Sequence, residues 1–282
     1  MGWIRFRAEL RERQAVAERQ HLASFVLNCS APGASAGQFV QLNLPEVFWP
    51  RPFSLLDWDA GGAGPASFRI LFSEAGRGTR ALARLPLGSR LEGHGPLGRG
   101  FPRLPGPLWM VAGGYGVAPL LYVSRGASDP ARVRFFYGAT RAPLLWDSPE
   151  LAALDSVICT EDGSRGERGT VLDAVRRALD AIPAGAGPAP TLFACGPMGL
   201  LAATAALARE RALEAYVSVE APMPCGVGVC RGCAVPVAHA DPGGSPVPAG
   251  EPPAPTFAMA CEDGPAFDAR RIDWEREAAC RT

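Results

Sequence analysis

The sequence has no excess of charge of either sign. Its 282 residues include 28 lysine and arginine residues together and 28 aspartate and glutamate residues. Proteins that hold nucleic acid or an anionic membrane by electrostatics usually carry a basic excess or a polybasic segment. Because this chain has neither, its composition does not favour nucleic acid or a membrane surface as a partner.

Long apolar runs are also missing from the sequence. Nowhere do about eighteen apolar residues follow one another, which is the length that a membrane-spanning helix requires. The first thirteen residues alternate apolar with charged side chains and lack the apolar core of a signal peptide. Eight cysteines in a chain of this length do not make a secreted disulfide scaffold. We therefore expect a cytoplasmic protein, in a reducing compartment, without a membrane span.

Four of the eight cysteines form a recognisable pattern. Cys225, Cys230 and Cys233 have C-x4-C-x2-C spacing, and Cys261 follows after a longer gap. This is the plant-type spacing by which thiolates hold a [2Fe–2S] cluster. The intervening glycines let the backbone curl so that its amides can point at the cluster sulfurs. Structural zinc sites also use four cysteines, but usually as two short C-x2-C pairs, so the cluster is favoured and zinc is the alternative.

The chain continues between the third and fourth cysteines through Pro242–Pro255, which is rich in proline and glycine. Such a composition predicts an exposed loop.

The first hundred residues are short apolar segments broken by glycine, proline and aspartate, which predicts a small antiparallel barrel or sandwich. We expect its arginine- and glutamate-rich first strand to be a solvated edge. The segment Arg51-Pro52-Phe53-Ser54 offers an arginine fork that can engage two phosphate oxygens. Gly78 and Thr79 lie in a turn that opens a helix, where anions are favoured. Taken alone, each motif is more often a surface charge or an ordinary turn.

After about residue 103 apolar strands alternate with helix-like segments, which predicts a parallel sheet covered on both faces. Ligands of such sheets bind beyond the carboxyl ends of the strands. The segment Gly113-Gly114-Tyr115-Gly116 follows the first of these strands and offers backbone amides to a pyrophosphate. Glu161-Asp162 and Cys195-Gly196-Pro197 end two further strands. A lone glycine turn or a lone buried cysteine would be weak evidence.

Taken in this order, the motifs resemble one family over almost the whole chain. The family is the electron-transfer subunits of the NAD-dependent, class B dihydroorotate dehydrogenases, in the ferredoxin-reductase superfamily. Where the family often has an aromatic–arginine pair after a barrel strand, this chain has Phe72-Ser73. The cysteine signature is the most specific match, and the others are Arg51–Ser54, Gly78-Thr79, Gly95–Phe101, Glu161–Ser164, Cys195–Pro197 and Cys261–Pro265.

The resemblance implies three domains and their site residues. They are an antiparallel β-barrel that binds FAD (1–103), an α/β parallel-sheet domain that binds NAD (104–217) and a small C-terminal [2Fe–2S] domain (218–282). Cys195 would lie beside the nicotinamide in a positioning, non-covalent role. The other implied cofactor contacts are Arg51, Pro52, Phe53, Ser54, Leu71, Phe72, Ser73, Gly78, Thr79, Gly113, Gly114, Gly116, Glu161, Asp162, Gly196 and Pro197, with Cys225, Cys230, Cys233 and Cys261 as cluster ligands.

The nicotinamide cofactor is harder to assign. The segment after the second strand of the predicted sheet, Gly138–Arg141, has no acidic residue that would bind a ribose hydroxyl. Arg141 could instead meet the 2′-phosphate of NADP. We favour NAD and leave NADP open.

The resemblance also implies a partner. In the family an FMN-containing catalytic subunit oxidises dihydroorotate to orotate in pyrimidine biosynthesis. This chain would relay electrons between that subunit and NAD through the cluster and FAD, in a heterotetramer with two copies of each subunit. Two alternatives are a reductase subunit of another cytoplasmic complex, of hydrogenase or transhydrogenase type, and a non-catalytic redox sensor.

Overall fold

A computed structural model describes residues 2–62, 64–183, 185, 187–238 and 256–280. The predicted loop Pro242–Pro255 lies outside these residues. The strands are β1 (Ile4–Ala17), β2 (Gln20–Leu27), β3 (Phe39–Leu42), β4 (Arg51–Asp59), β5 (Ser67–Ser73), β6 (Arg90–Leu97), β7 (Leu108–Gly113), β8 (Val133–Ala139), β9 (Asp155–Thr160), β10 (Glu167–Arg168), β11 (Thr191–Cys195), β12 (Ala215–Ser218), β13 (Ala234–Val237), β14 (Thr256–Met259) and β15 (Ala266–Asp268). The helices are α1 (Arg77–Arg84), α2 (Val117–Arg125), α3 (Pro149–Ala152), α4 (Val171–Asp180), α5 (Met198–Glu210) and α6 (Trp274–Ala279).

The first six strands form a closed antiparallel barrel in the order β1-β2-β5-β4-β3-β6. Strand β1 pairs with β2 on one side and with β6 on the other. Its alternate residues Phe6, Ala8 and Leu10 are buried, while Arg5 and Arg7 are exposed. The strand is solvated on one face, as expected, but the expectation that it is an edge is wrong, because closure of the barrel pairs it on both sides.

A seven-stranded sheet follows, in the order β10-β9-β8-β7-β11-β12-β15. The pairs from β10 to β12 are parallel, and the central strands β7, β8 and β11 are mainly apolar and buried because helices cover both faces of the sheet. Helices α2 and α3 pack with one set of buried side chains, and α4 and α5 pack with the other. The expected parallel sheet and its flanking helices are therefore present.

The last strand of this sheet comes from the far end of the chain. Strand β15 pairs antiparallel with β12, with Val217 opposite Phe267. Phe267 is buried, and the amide of Val219 donates to the carbonyl oxygen of Pro265 at 3.0 Å. The boundaries 1–103, 104–217 and 218–282 stay predictions. The structure adds that the segment after Cys261 completes the middle sheet, so the cysteine region is anchored on both sides.

The remaining strands, β13 and β14, form a two-stranded antiparallel sheet beside the cysteines. Within the ranges that the structure describes, every helix is too short or too polar to cross a bilayer.

Candidate functional site

A cavity of about 390 Å³, here called the barrel cavity, opens where the barrel meets the sheet. The barrel lines one side of it. From the sheet side it is lined by Tyr115, Gly116 and Cys195, and from the segment after β12 by Glu220 and Met223. Three parts of the chain that are far apart in sequence thus meet at one cavity. The predicted FAD residues that line it are Pro52, Phe53, Ser54, Leu71, Phe72, Ser73 and Thr79.

Arg51 and Gly78, also predicted for FAD, lie beside the barrel cavity and do not line it. The Arg51 guanidinium donates from Nη1 to the carbonyl oxygen of Trp49 at 2.7 Å. A Cβ at Gly78 would lie 3.3 Å from Leu44 Cδ1 and 3.5 Å from Arg51 Cγ. Glycine at this position therefore lets the first turn of α1 pack closely against the arginine that begins β4.

Cys195 ends β11 and is buried at the sheet side of the barrel cavity. Burial, together with the negative charge of Glu220, raises the pKa of its thiol to about 12. The thiol is therefore neutral near pH 7 and is a poor nucleophile, since the thiolate is the reactive form. This agrees with a positioning role.

A second cavity, here called the sheet cavity, has a volume of about 530 Å³ and lies at the carboxyl ends of the parallel strands. Tyr115 and Ser73 line both cavities, which are therefore adjacent. The predicted NAD residues that line the sheet cavity are Gly113, Gly114, Glu161 and Pro197.

Three predicted NAD residues do not line the sheet cavity. Gly116 lines the barrel cavity instead, because it directly precedes α2 and lies against the end of β11. Asp162 is exposed, and its Oδ1 accepts hydrogen bonds from the backbone amide of Ser164 at 2.9 Å and from its hydroxyl at 2.6 Å. These bonds lower the pKa of the Asp162 carboxyl. Gly196 lines neither cavity, but a Cβ there would lie 2.9 Å from Leu200 Cδ2.

Sequence reasoning missed the pairing of Tyr115 with Glu220. In the sequence the tyrosine is only one residue of a glycine turn, and none of the motifs includes Glu220. In the structure the tyrosine lies beside the Glu220 carboxylate, and burial with this negative neighbour raises the pKa of Tyr115. The pair stands where the two cavities meet. The only signal in the sequence was a charged residue directly before the cysteine segment.

The four patterned cysteines come together. The loop between β12 and β13 carries Cys225, Cys230 and Cys233, and Cys261 follows β14. The sulfur atoms of Cys233 and Cys261 are 3.2 Å apart. Burial and the neighbouring Cys233 thiol, with which it shares a hydrogen bond, raise the pKa of the Cys261 thiol to about 12. A metal that binds these two sulfur atoms would replace the proton between them, since coordination deprotonates thiols.

Backbone amides surround the sulfur atoms. The amide of Gly228 donates to Cys261 Sγ at 3.2 Å, and the amide of Cys230 donates to Cys225 Sγ at 3.4 Å. Burial opposes ionisation of Cys225, but hydrogen bonds from the amides of Cys230 and Val227 outweigh it and lower the pKa of this thiol to about 7. Amide donors of this kind stabilise thiolate and cluster sulfur charge.

The geometry of these donors distinguishes the two metal sites considered. A tetrahedral zinc site needs its donors around a single ion. A [2Fe–2S] cluster divides its four thiolates between two irons, so they need not meet at one point. The amides that donate to the sulfur atoms, together with the C-x4-C-x2-C spacing, therefore favour the cluster over zinc.

Two barrel residues hold the cysteine loop. The side-chain amide of Gln41 donates to the carbonyl oxygen of Met223, and His94 Nε2 lies 3.2 Å from the carbonyl oxygen of Cys225. Gly226 has a φ of +70°, and a Cβ there would be 2.7 Å from Gln41 Nε2. Glycine is thus required both for the turn and for the close approach of the barrel.

Comparisons with known proteins agree with this geometry. Residues 220–273 match the family model described as the iron-sulfur cluster binding domain of dihydroorotate dehydrogenase B. The electron transfer subunit of dihydroorotate dehydrogenase B (NAD(+)) from Caldanaerobacter subterraneus is 31% identical over 238 residues, which are 84% of this chain and 86% of that protein. The protein of the same description from Geobacillus thermodenitrificans is 30% identical over 280 residues, covering 93% of this chain and 98% of that one. This chain belongs to the family of dihydroorotate dehydrogenase B electron-transfer subunits.

Solved structures support the fold of this family member. An NADH-dependent reduced ferredoxin-NADP oxidoreductase structure superposes with a TM-score of 0.77 and 23% identity, over 96% of this chain and 91% of that one. The Amycolatopsis cytochrome P450 reductase GcoB superposes with a TM-score of 0.62 and 23% identity, over 74% and 66% of the two chains. The family and the fold class expected from the sequence are thus confirmed. The comparisons do not support the alternative complexes.

Proposed function

We propose that this chain relays electrons between NAD and a catalytic dihydroorotate dehydrogenase subunit, by way of FAD and a [2Fe–2S] cluster. One observation carries the proposal: the barrel cavity is bordered by Cys195 on the sheet side and by Met223, two residues before Cys225, on the cysteine side. A flavin in that cavity would lie between a nicotinamide site and a cluster site. Bound FAD would exchange a hydride with NAD and single electrons with a neighbouring cluster.

The barrel would hold FAD with the residues that resemble the family motifs. Pro52–Ser54 and Leu71–Ser73 would line the isoalloxazine ring, since they line the barrel cavity. Arg51 and the turn Gly78-Thr79 would bind the pyrophosphate with guanidinium and backbone N–H donors. The apolar walls of the cavity would exclude water from the reacting ring.

The sheet cavity would hold NAD. Gly113 and Gly114 would present backbone amides to the pyrophosphate, and Gly116 lets the helix that follows approach β11. The neutral thiol of Cys195, with Gly196 and Pro197, would position the nicotinamide against the flavin. Glu161 lines the sheet cavity and would face the ribose, and Asp162 would hold the shape of the adjoining turn.

Cys225, Cys230, Cys233 and Cys261 would ligate the cluster. Backbone amides that already donate to three of these sulfur atoms would stabilise the charge of the cluster without a separate acid–base residue.

The partner would be an FMN-containing subunit that oxidises dihydroorotate, in a heterotetramer with two copies of each chain. The names of the relatives, which are electron transfer subunits, support a separate catalytic chain. A cytoplasmic location also stays a prediction.

Coexpression with that catalytic subunit tests the proposal. The complex should oxidise dihydroorotate with NAD as the final acceptor, whereas this chain alone should bleach its flavin with NADH but not oxidise dihydroorotate. Oxidation by the isolated chain would refute the division of labour. Failure of NADH to bleach the flavin would favour the redox sensor instead.

A further inference from the structure

The hairpin between β1 and β2 belongs to the barrel but reaches the sheet cavity. Gln20, at the start of β2, lines this cavity and is 3% exposed. Its Nε2 donates to the carbonyl oxygen of Leu144 at 2.6 Å, whereas its Oε1 is buried and has no hydrogen-bond partner in the described structure. A buried acceptor without a donor is unfavourable, so this oxygen is suited to accept a hydrogen bond from a ligand in the cavity.

Glu18, two residues earlier in the same hairpin, forms a two-point ion pair with Arg141 of the sheet domain. The Glu18 Oε2–Arg141 Nη1 distance is 2.6 Å, and the Oε1–Nη2 distance is 2.7 Å. The amide of Glu18 also donates to the carbonyl oxygen of Pro143 at 2.7 Å. The hairpin is therefore bound to the loop after β8 by side chain and backbone together.

This loop lies where nucleotide selectivity is decided in sheets of this kind. Strand β8 is the parallel neighbour of β7, which ends in the glycine loop of the sheet cavity. The adenosine ribose of a dinucleotide binds beside the glycine loop of such a sheet, and in NADP-binding proteins a nearby arginine accommodates the 2′-phosphate. Arg141 follows Thr140, which lines the cavity. Its guanidinium fork, however, is already engaged by a carboxylate of the matching bidentate geometry.

A 2′-phosphate would also meet negative charge. It brings about two negative charges at neutral pH. Glu161 lines the cavity, and Asp162 lies close enough to Arg141 for its negative charge to help raise the pKa of the guanidinium, after the larger effect of Glu18. Because Glu18 neutralises Arg141, the part of the sheet cavity beside the loop after β8 would repel the phosphate and accept an uncharged ribose hydroxyl.

We propose that Glu18 selects NAD(H) over NADP(H) by holding Arg141 in this interdomain ion pair. The inference rests on the proposed dinucleotide site. In sheets of this kind an acidic residue in the loop after the second strand ordinarily gives selectivity for NAD, but the loop after β8 has none there. The proposal assigns this role to a residue of the barrel instead.

The test compares ADP-ribose with 2′-phospho-ADP-ribose, which are NAD and NADP without the nicotinamide ring, by titration calorimetry on the FAD- and cluster-loaded chain. Wild type should bind ADP-ribose more tightly. Glu18→Gln should raise the affinity for 2′-phospho-ADP-ribose relative to ADP-ribose by about tenfold, the scale of one released charged hydrogen bond. The double variant with Arg141→Gln should lose this gain. Glu210→Gln is the control. It breaks a surface ion pair between Glu210 on α5 and Arg176 on α4, and it should leave the ratio of the two affinities unchanged.

The ratio of affinities decides the proposal. A wild type that prefers the 2′-phosphate, an unchanged ratio in Glu18→Gln, or a gain that persists in the double variant would each overturn it. In those cases both ligands still bind, so the proposed dinucleotide site survives. If neither ligand bound to wild type, the dinucleotide site itself would be wrong, and the selectivity proposal would fall with it.

Discussion

Gln41 of the barrel donates its side-chain amide to the carbonyl oxygen of Met223, the residue that separates the barrel cavity from the first patterned cysteine. Gln41 is completely buried, and the backbone of Gly226 packs against its side chain. One barrel side chain thus fixes the segment that joins the two proposed redox sites. Electron transfer needs such fixed separation, because the protein sets the distance while the cofactors supply the chemistry.

Replacement of Gln41 by leucine should loosen the cysteine loop. The buried carbonyl of Met223 would lose its donor, which costs about 1–3 kcal/mol. We expect Gln41→Leu to lose iron to a chelator faster than wild type while keeping its FAD. Absorbance of the chelated iron over time measures this.

Gln38→Leu is the matched control. Gln38 is also buried in the barrel, but its Nε2 donates to the carbonyl oxygen of Gly98 at 2.7 Å and not to the loop between β12 and β13. Equal rates of iron release from the two variants would show that Gln41 has no special role in the loop.

Replacement of any patterned cysteine should abolish the cluster. Serine at position 225, 230, 233 or 261 leaves only three thiolates, so we expect iron and acid-labile sulfide to fall to background in each purified variant. Cys280→Ser is the control, since Cys280 is exposed in the last helical turn and is not in the pattern. A cluster retained in one of the four variants would remove that residue from the ligand set.

The reactivity of Cys195 should report its raised pKa. With a thiol pKa of about 12, the thiolate fraction is small at pH 8 and rises about tenfold with each pH unit. The alkylation rate of Cys195 by iodoacetamide, followed by peptide mass spectrometry from pH 7 to 10, should therefore still be rising at pH 10. A rate that levelled off near pH 9 would mean that the thiol has an ordinary pKa and that burial does not keep it neutral.

Arg51→Ala should weaken FAD binding. Loss of charge-assisted hydrogen bonds to a pyrophosphate typically costs about 1.5–3 kcal/mol, which is roughly a tenfold to hundredfold loss of affinity. Fluorescence of released flavin during dilution measures it. Arg84→Ala, at the exposed end of α1, is the control and should keep the affinity of wild type. If the two variants retained FAD equally, Arg51 would not bind the pyrophosphate.

Local patterns were sufficient for much of the fold. Helix α2 (Val117–Arg125) is one of the helix-like segments that the alternating pattern predicts, and a glycine turn precedes it and Gly126 follows it. The cysteine spacing likewise predicts a compact loop, because its glycines permit the turns that the loop requires. Such features depend on neighbours within a few residues of each other.

The contacts that define the site are long-range, and a single sequence does not specify them. Gln41 and Met223 are 182 residues apart, and Glu18 and Arg141 are 123 residues apart. From the sequence alone Arg141 could bind a phosphate. In the structure the hairpin of the barrel packs against the sheet and brings the Glu18 carboxylate to it. Strand β15 was missed for the same reason, since three residues have no periodicity that could assign them to a distant sheet.

The central claim is that four thiolates hold a two-iron cluster close enough to a bound flavin for electrons to pass between them. Anaerobic reduction of the isolated chain by NADH, followed by optical and electron paramagnetic resonance spectra of the same sample, tests it most directly. The account predicts a bleached flavin together with the paramagnetic signal of a one-electron-reduced [2Fe–2S] cluster. Flavin-loaded protein that carried no iron and gave no such signal would contradict it.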